Sequence, residues 1–388
     1  MTDTVITNKR GSARAQKGHL WIYRSDVLEP RGVRAGSVVV VRDETNRFVG
    51  RALFSDRSEI NLRLLTLRDE PIDREWWRRR LRDAAARRKG IEQHTNAYRL
   101  VYSEGDLISS LIVDVYDGVM VLQTLSQGTD NIKEMLVELL VEEFAPRGII
   151  ERNDMRVREL EGLELRSGIL YGTVPDELEV HQDGVRFLVA PIAGQKTGSF
   201  LDQRENRLAA RAVAKGRALD CFTFNGGFAL HLAMVCEHVL GLDISAQAVE
   251  SARRNAMLNE ICNVDFEEAN VFDALREMDA RHELFDTIVL DPPAFAKNRA
   301  SIRAAVRGYN EINLRSLKLL KPGGILVTCS CSYHVTEEMF VELVTNAARD
   351  AHRRVQLIEK RIQSRDHPVL LGVPETFYLK CLILRVLD

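Results

Sequence analysis

Leu219-Asp-Cys-Phe-Thr-Phe-Asn225-Gly-Gly-Phe-Ala-Leu-His-Leu232, followed by Gly241-Leu-Asp243, decides the fold of this chain. Ala218 to Phe224 runs apolar and β-prone into Asn225-Gly226-Gly227, after which Phe228-Ala-Leu-His-Leu-Ala-Met takes up helical spacing. The spacing predicts strand, glycine turn, helix. Glycines there let the backbone approach a nucleotide-like ligand, and a carboxylate ending the next strand, Asp243, sits where two ribose hydroxyls would be held. Asn-Gly-Gly lacks the G-x-G-x-x-G spacing of a dinucleotide site, which argues against a dehydrogenase.

Downstream, strands expected to end at Phe224, Ile244, Ala269, Leu290 and Ser330 alternate with helices, including Ala246 to Asn259 and Val306 to Leu320. That alternation predicts a doubly wound parallel sheet, with an antiparallel pair near Arg354–Glu359 and Phe377–Val386 closing its edge. Ligands of such sheets bind at the carboxyl ends of the strands. The residues there are Asn225 to Gly227, Asp243, Asn270, Asp291-Pro-Pro293 and Cys329-Ser-Cys331. Asp291, beside rigid prolines, can point a carboxylate at an amine-bearing ring. A thiolate at the same rim is a nucleophile that needs no strong base, so Cys329 and Cys331 are candidate covalent catalysts.

Upstream, residues 1 to about 70 read as short strands separated by polar turns, among them Ser37–Val41, Phe48–Leu53 and Ile60–Leu65. Ahead of them Lys9, Arg10, Arg14, Lys17, Trp21, Tyr23 and Arg24 interleave cations with aromatics, a composition suited to phosphate contact and base stacking, or else to an arm that caps a barrel. A helix carrying Trp76-Trp77 follows, ending near Gly90. Strands Tyr98–Tyr102, Leu111–Tyr116 and Val119–Gln123, the last two joined by Asp117-Gly118, lead to a helix over Asn131–Phe144 and a strand at Gly148–Arg152. Val180–Val189, turning at Asp183-Gly184, is a further hairpin.

The length of 388 residues suggests two or three domains, and 45% hydrophobic with 28% charged residues is the composition of a soluble globular protein. No apolar run reaches the roughly 20 residues of a membrane span and no signal-peptide core is present, so the cytoplasm is expected. Six cysteines without CxxC spacing indicate neither a zinc site nor a disulfide framework, and four are expected only to pack. Residues 1–100 hold 22 Lys and Arg against 13 Asp and Glu, a net +9, while the whole chain carries −2, which puts −11 on the remainder. Such asymmetry fits a polyanion-binding module attached to a catalytic body, although Arg78–Arg80, Arg82 and Arg87–Lys89 read as a solvated helix face.

Asp220-Cys-Phe-Thr-Phe-Asn-Gly-Gly-Phe, Asp243, Asp291-Pro-Pro-Ala-Phe and Thr328-Cys-Ser-Cys331-Ser resemble the motifs of class I S-adenosylmethionine-dependent methyltransferases. With Gln195-Lys-Thr-Gly-Ser-Phe-Leu-Asp-Gln-Arg-Glu-Asn206, the order of motifs is similar to that of bacterial large-subunit rRNA cytosine-5 methyltransferases with an N-terminal PUA domain. The resemblance covers nearly the whole chain. It implies an α/β fold with a small β-barrel PUA domain (1–72), a middle α+β domain (73–178) and a C-terminal Rossmann-like class I methyltransferase domain (179–388). S-adenosyl-L-methionine is the implied cofactor, with Phe200, Gln203, Asp220, Phe222, Asn225, Gly226, Gly227, Asp243, Ile244, Asn270 and Asp291 around it and no metal. Asn270 stands where relatives usually carry Asp. Cys331 is the implied nucleophile and Asp291 its partner in holding the base. The slot after DxP that carries a second thiol in some relatives is Pro293-Ala294, so the base that removes the C5 proton is left open. The implied substrate is 23S rRNA or a large-subunit assembly intermediate, contacted by Lys9, Arg10, Arg14, Lys17, Trp21 and Arg24. An exocyclic-amine methyltransferase (guanine N2 or adenine N6) and a catalytically silent assembly factor remain alternatives, and the oligomeric state, homodimer included, stays open.

Overall fold

The computed structural model describes residues 3–28, 30, 32–194, 200–296 and 299–388, which form two compact units. The first comprises the described residues within 1–181, 189–201 and 365–376. It opens with β1 (Thr4–Thr7), α1 (Lys9–Gln16), β2 (Trp21–Tyr23), β3 (Val27–Leu28), β4 (Val38–Asp43), β5 (Phe48–Phe54) and β6 (Ile60–Thr66). These strands make one six-stranded sheet in the order β2-β6-β5-β4-β1-β3. It closes on Val5, Ile22, Val39, Val41, Leu62 and Leu64. The segment expected as an arm is the helix α1. Asn8 caps it by accepting from the Gly11 N–H, and its buried face is Gly11, Ser12 and Ala15. Small residues rather than an apolar stripe make that face, so the helical period was invisible in the hydrophobic pattern.

The first unit continues with α2 (Arg74–Arg87), β7 (Ala97–Tyr102), β8 (Leu111–Tyr116), β9 (Val119–Thr124), α3 (Gln127–Asn131), α4 (Lys133–Phe144), β10 (Gly148–Asn153) and β11 (Arg166–Gly172). A second sheet, β11-β10-β9-β8-β7, packs on Trp76, Trp77, Leu81, Leu136, Leu139 and Leu140. Asp117 (φ 45°) and Gly118 (φ 76°) form the left-handed turn of the expected β8–β9 hairpin. Strand β11 was not expected from the sequence: its residues are mostly exposed on both faces and show no alternation.

The hairpin β12 (Leu178–Gln182) and β13 (Val185–Val189) carries the chain towards the second unit, residues 182–188, 202–364 and 377–388. There the elements are α5 (Arg204–Val213), β14 (Arg217–Cys221), α6 (Gly227–Ala233), β15 (His238–Asp243), α7 (Ala246–Leu258), β16 (Val264–Glu268), α8 (Val271–Ala280), β17 (Phe285–Leu290), α9 (Ile302–Leu319), β18 (Leu320–Ser330), α10 (Glu337–Asp350), β19 (Val355–Arg361) and β20 (Lys380–Val386). The sheet order is β16-β15-β14-β17-β18-β20-β19, parallel through β18 and antiparallel beyond it. The expected edge pair is present, but the last strand is inserted between β18 and β19, so β20 is an interior strand. The order of connection reverses between β14 and β17, which makes the carboxyl ends of β14, β15, β17 and β18 the switch-point cleft.

Candidate functional site

The turn after β14 is strained. Phe222 (φ 66°) and Phe224 (φ 51°) both adopt the left-handed region, as does Gly226 (φ 86°). Each non-glycine residue held there costs on the order of 1–3 kcal/mol. The turn is held by Asp220, whose Oδ2 accepts from the Thr223 hydroxyl (2.7 Å) and the Ala229 N–H (2.8 Å). Asp243 fixes it from the other side: Oδ2 accepts from the Phe224 N–H and Oδ1 from the Ser245 N–H, both at 2.9 Å. Asn255 donates to the Asn225 carbonyl (2.9 Å). A Cβ on Gly227 would stand 2.9 Å from the guanidinium carbon of Arg207, so no side chain fits there without displacing it.

Asp220 is fully buried, and burial carries its carboxyl up to about 7. Its Oδ1 has no hydrogen-bond partner among the described residues. Beside Asp243, Ile244 is an aliphatic side chain left 70% exposed. An unsatisfied carboxylate oxygen, a strand-end carboxylate with spare lone pairs and an uncovered apolar side chain match, in turn, an ammonium, a ribose and an adenine face. These residues therefore fit the expected nucleoside cofactor. Asn270 caps α8, its Oδ1 accepting from the Phe272 N–H at 2.9 Å, so one acceptor lone pair assigned to a ligand is committed to the cap. Phe200 lies in the first unit, and Gln195 to Ser199 lie outside the described residues.

The reactive groups expected at β17 and β18 are adjacent, because the parallel register pairs Leu290 with Thr328. Cys331 Sγ lies 3.9 Å from the Pro292 carbonyl oxygen and is half-buried. Cys329 differs from the sequence expectation of two thiols at the rim. It is fully buried opposite Cys381, and that neighbour together with burial raises its thiol well above the ordinary range. Alternation alone would put Cys329 and Cys331 on the same face; they differ because β18 ends at Ser330, so Cys329 lies within the strand and Cys331 past its end. Cys221, Cys236 and Cys381 are buried as well, as packing requires.

Asp291 is oriented by a hydrogen-bonded chain. Gln203 Nε2 donates to Asp291 Oδ1 (2.8 Å), Asn206 Nδ2 donates to Gln203 Oε1 (2.7 Å), and Arg361 Nε donates to Asn206 Oδ1 (3.0 Å). Gln203, expected against the cofactor, thus has both ends of its amide engaged within the protein. Beneath the loop, Phe295 packs on Tyr309 (centroids 4.7 Å), Phe272 (5.9 Å) and Phe222 (6.4 Å). The Tyr309 hydroxyl lies 3.0 Å from both Ser330 Oγ and Ser332 Oγ, bracketing Cys331. Tyr309 and Arg207 carried no signal in the sequence, since the Ser330, Ser332 and Gln182 side chains they bond lie more than 20 residues away; Asn206 closes the quoted motif, but its bond to Arg361 shows only in the fold.

In the first unit, the cations expected to meet RNA are largely engaged. Arg10 and Arg14 both pair with the fully buried Asp26, and Arg14 stacks on Tyr23 at 4.5 Å. Trp21 Nε1 donates to Glu104 (2.9 Å), and Arg24 donates to the carbonyls of Asp56 (2.7 Å) and Ser58 (3.1 Å). Lys9 and Lys17 are exposed. On α2, Arg74, Arg78 and Arg82 pair with Glu138, Glu142 and Glu143 of α4, so this basic face is neutralised within the fold. No group of His, Cys, Asp or Glu among the described residues could hold a metal ion, and no described helix is long and apolar enough to cross a membrane.

A family model described as a PUA-like domain matches residues 5–67, and one described as a methyltransferase domain matches residues 213–370. Among solved structures, a proposed methyltransferase solved with SAH is similar at TM-score 0.86 and 19% identity, covering 99% of this chain and 100% of that one. A proposed SAM-dependent methyltransferase from Streptococcus mutans is similar at TM-score 0.84 and 18% identity, with the same coverage. These likenesses show the fold. Ribosomal RNA large subunit methyltransferase I of Tolumonas auensis is 40% identical over 397 residues, covering 100% of both chains. The protein of that name from Pseudoalteromonas atlantica is 40% identical over 377 residues, 95% of each. At that identity over that length, the chain belongs to the ribosomal RNA large subunit methyltransferase I family.

Proposed function

We propose that this chain transfers a methyl group from S-adenosylmethionine to C5 of a cytosine in 23S rRNA, using Cys331 as a covalent nucleophile. The observation that carries the reading is the half-buried Cys331 thiol, 3.9 Å from the Pro292 carbonyl in the loop that holds Asp291. The names of the relatives support the rRNA substrate, and a ribosomal substrate would place the protein in the cytoplasm.

Asp220, Asn225 to Gly227, Asp243 and Ile244 would hold the cofactor, which supplies an electrophilic methyl group. Cytosine C5 is a poor nucleophile. Bond formation between Cys331 Sγ and C6 breaks the C5–C6 double bond and moves electron density into the ring, so that C5 becomes enamine-like and can accept the methyl group. Asp291, fixed by Gln203, would carry a proton, donating it to N3 as charge builds there while its other oxygen accepts from the N4 amine. Loss of the C5 proton then restores the double bond and expels the thiolate. The target must leave its stack, which unpaired rRNA permits most cheaply.

The test is methyl transfer from labelled S-adenosylmethionine to rRNA from cells lacking the gene, read by nucleoside mass spectrometry. Label in 5-methylcytidine, abolished by Cys331→Ala and retained by Cys329→Ala, is expected. Label in a methylated guanosine or adenosine, indifferent to Cys331→Ala, would replace this reading with exocyclic-amine transfer.

A further inference from the structure

Lys380 is a buried cation that the reaction above does not use. It opens β20, in register with Ser330 of β18, one residue before Cys331. Its side chain is 3% exposed, yet among the described residues no carboxylate lies within ion-pair distance of Nζ. Nζ donates instead to the carbonyls of Ser332 (2.7 Å) and Tyr378 (2.8 Å). Ser332 is itself pinned, its Oγ accepting from the Ala296 N–H (3.1 Å) and meeting the Tyr309 hydroxyl (3.0 Å). The ammonium is therefore anchored to the residue that follows the thiol. Burying a charge without a counter-ion is costly, and two neutral carbonyls compensate only partly.

We propose that Lys380 is a positioning residue whose fixed cation holds Cys331 as a thiolate. The inference rests on the covalent reading for its purpose, because only an attack through sulfur needs the anion. Burial lowers the Lys380 ammonium to about 8, and the Cys331 charge acts in the opposite direction, helping Lys380 keep its proton. Among the described residues, the groups facing this corner include the Tyr309 hydroxyl of α9, which burial and, less, the Cys331 charge push up, and Glu337 at the start of α10, which pairs with Lys360 of β19 (2.7 Å). Asp291 follows β17 and is engaged by Gln203. Among the described residues, Lys380 is a cation anchored to the residue that follows the thiol. Cys331 gives its proton to solvent while Lys380 keeps its own. When the S–C6 bond forms, the negative charge passes from sulfur into the ring, and when the bond breaks the charge returns opposite the same cation.

The test is the pH dependence of iodoacetamide alkylation in the full chain, with each cysteine followed by peptide mass spectrometry and exposed Cys262 as internal reference. In the wild type the midpoint for Cys331 is expected below that for Cys262. Lys380→Met is expected to raise the Cys331 midpoint by about one to two pH units, roughly a ten-fold or greater loss of rate at pH 7, without moving Cys262. An unchanged Cys331 midpoint in folded Lys380→Met would overturn the proposal. So would a wild-type Cys331 midpoint no lower than that of Cys262, a comparison that requires no variant to fold. Neither RNA nor cofactor enters the measurement, so finding another methylated nucleoside would refute the cytosine reading while leaving the ion pair standing, and the reverse also holds.

Discussion

Asp220 is the residue where burial meets the proposed cofactor contact. Its carboxyl is carried from an ordinary value near 4 to about 7, first by burial and then by Asp291, with the Thr223 and Ala229 hydrogen bonds opposing. A raised folded-state value means that the fold favours the protonated acid. The contribution to stability is therefore full below about pH 4 and is lost as pH rises through about 7. His231, fully buried with neither ring nitrogen paired among the described residues, has the opposite sense: burial lowers it, so its contribution is lost as pH falls below its ordinary value. Asp220→Asn removes the first dependence and leaves the second. The melting temperature of the variant minus that of the wild type, measured without cofactor, is expected to grow from pH 4 to 7 and level off above. A difference independent of pH would show that Asp220 is ionised in the fold.

Elements position Asp291 more than its own loop does. The line Arg361, Asn206, Gln203, Asp291 runs from β19 through α5 to the end of β17, and each link is a side-chain hydrogen bond of 3.0 Å or less. Removing an interior member leaves the cofactor turn untouched but frees the carboxylate to rotate. Asn206→Ala is expected to lower kcat by on the order of 10²-fold, as misplacement by about 1 Å does, with S-adenosylmethionine affinity held within a few-fold. Steady-state rates beside calorimetric titration separate the two, and equal losses in both would place Asn206 with the cofactor instead. None of this was legible from periodicity, because polar side chains on three elements meet only when the strand order is set. The strand-end rule did single out Asp291 and Cys331, since the motif residues there lie within the local sequence.

For the whole molecule, the basic N-terminal region was read as a polyanion-binding surface, and its folded form narrows that reading to a few groups. Arg10 and Arg14 are committed to Asp26, Arg87 and Arg88 to Asp106, and Arg74, Arg78 and Arg82 to glutamates of α4. Formal charge in the sequence is thus a poor measure of charge available to RNA. The double variant Lys9→Ala, Lys17→Ala is expected to weaken rRNA binding and to reduce the log–log salt slope by roughly 1.5, two phosphate contacts' worth. Arg74→Gln with Arg78→Gln is expected to leave both nearly unchanged. Fluorescence anisotropy at several salt concentrations measures this, and the reverse pattern would move the RNA surface from α1 to α2.

What the chain determined by itself is whatever depends on neighbours in sequence. Alternating strands and helices specify the parallel sheet, Asp117-Gly118 and Asp183-Gly184 specify their turns, and Asn-Gly-Gly with Asp243 marks the strand ends proposed to take the cofactor. Such features are local because dihedral preference and hydrophobic period act over a few residues. Only the tertiary structure decided which cysteine lies past the strand end, which arginines are spent, that β20 lies between β18 and β19, and that a buried lysine bonds the carbonyl of the residue after Cys331. Each of those turns on burial and on partners distant in sequence, and a side chain's environment is defined only once the sheet has brought the partners together.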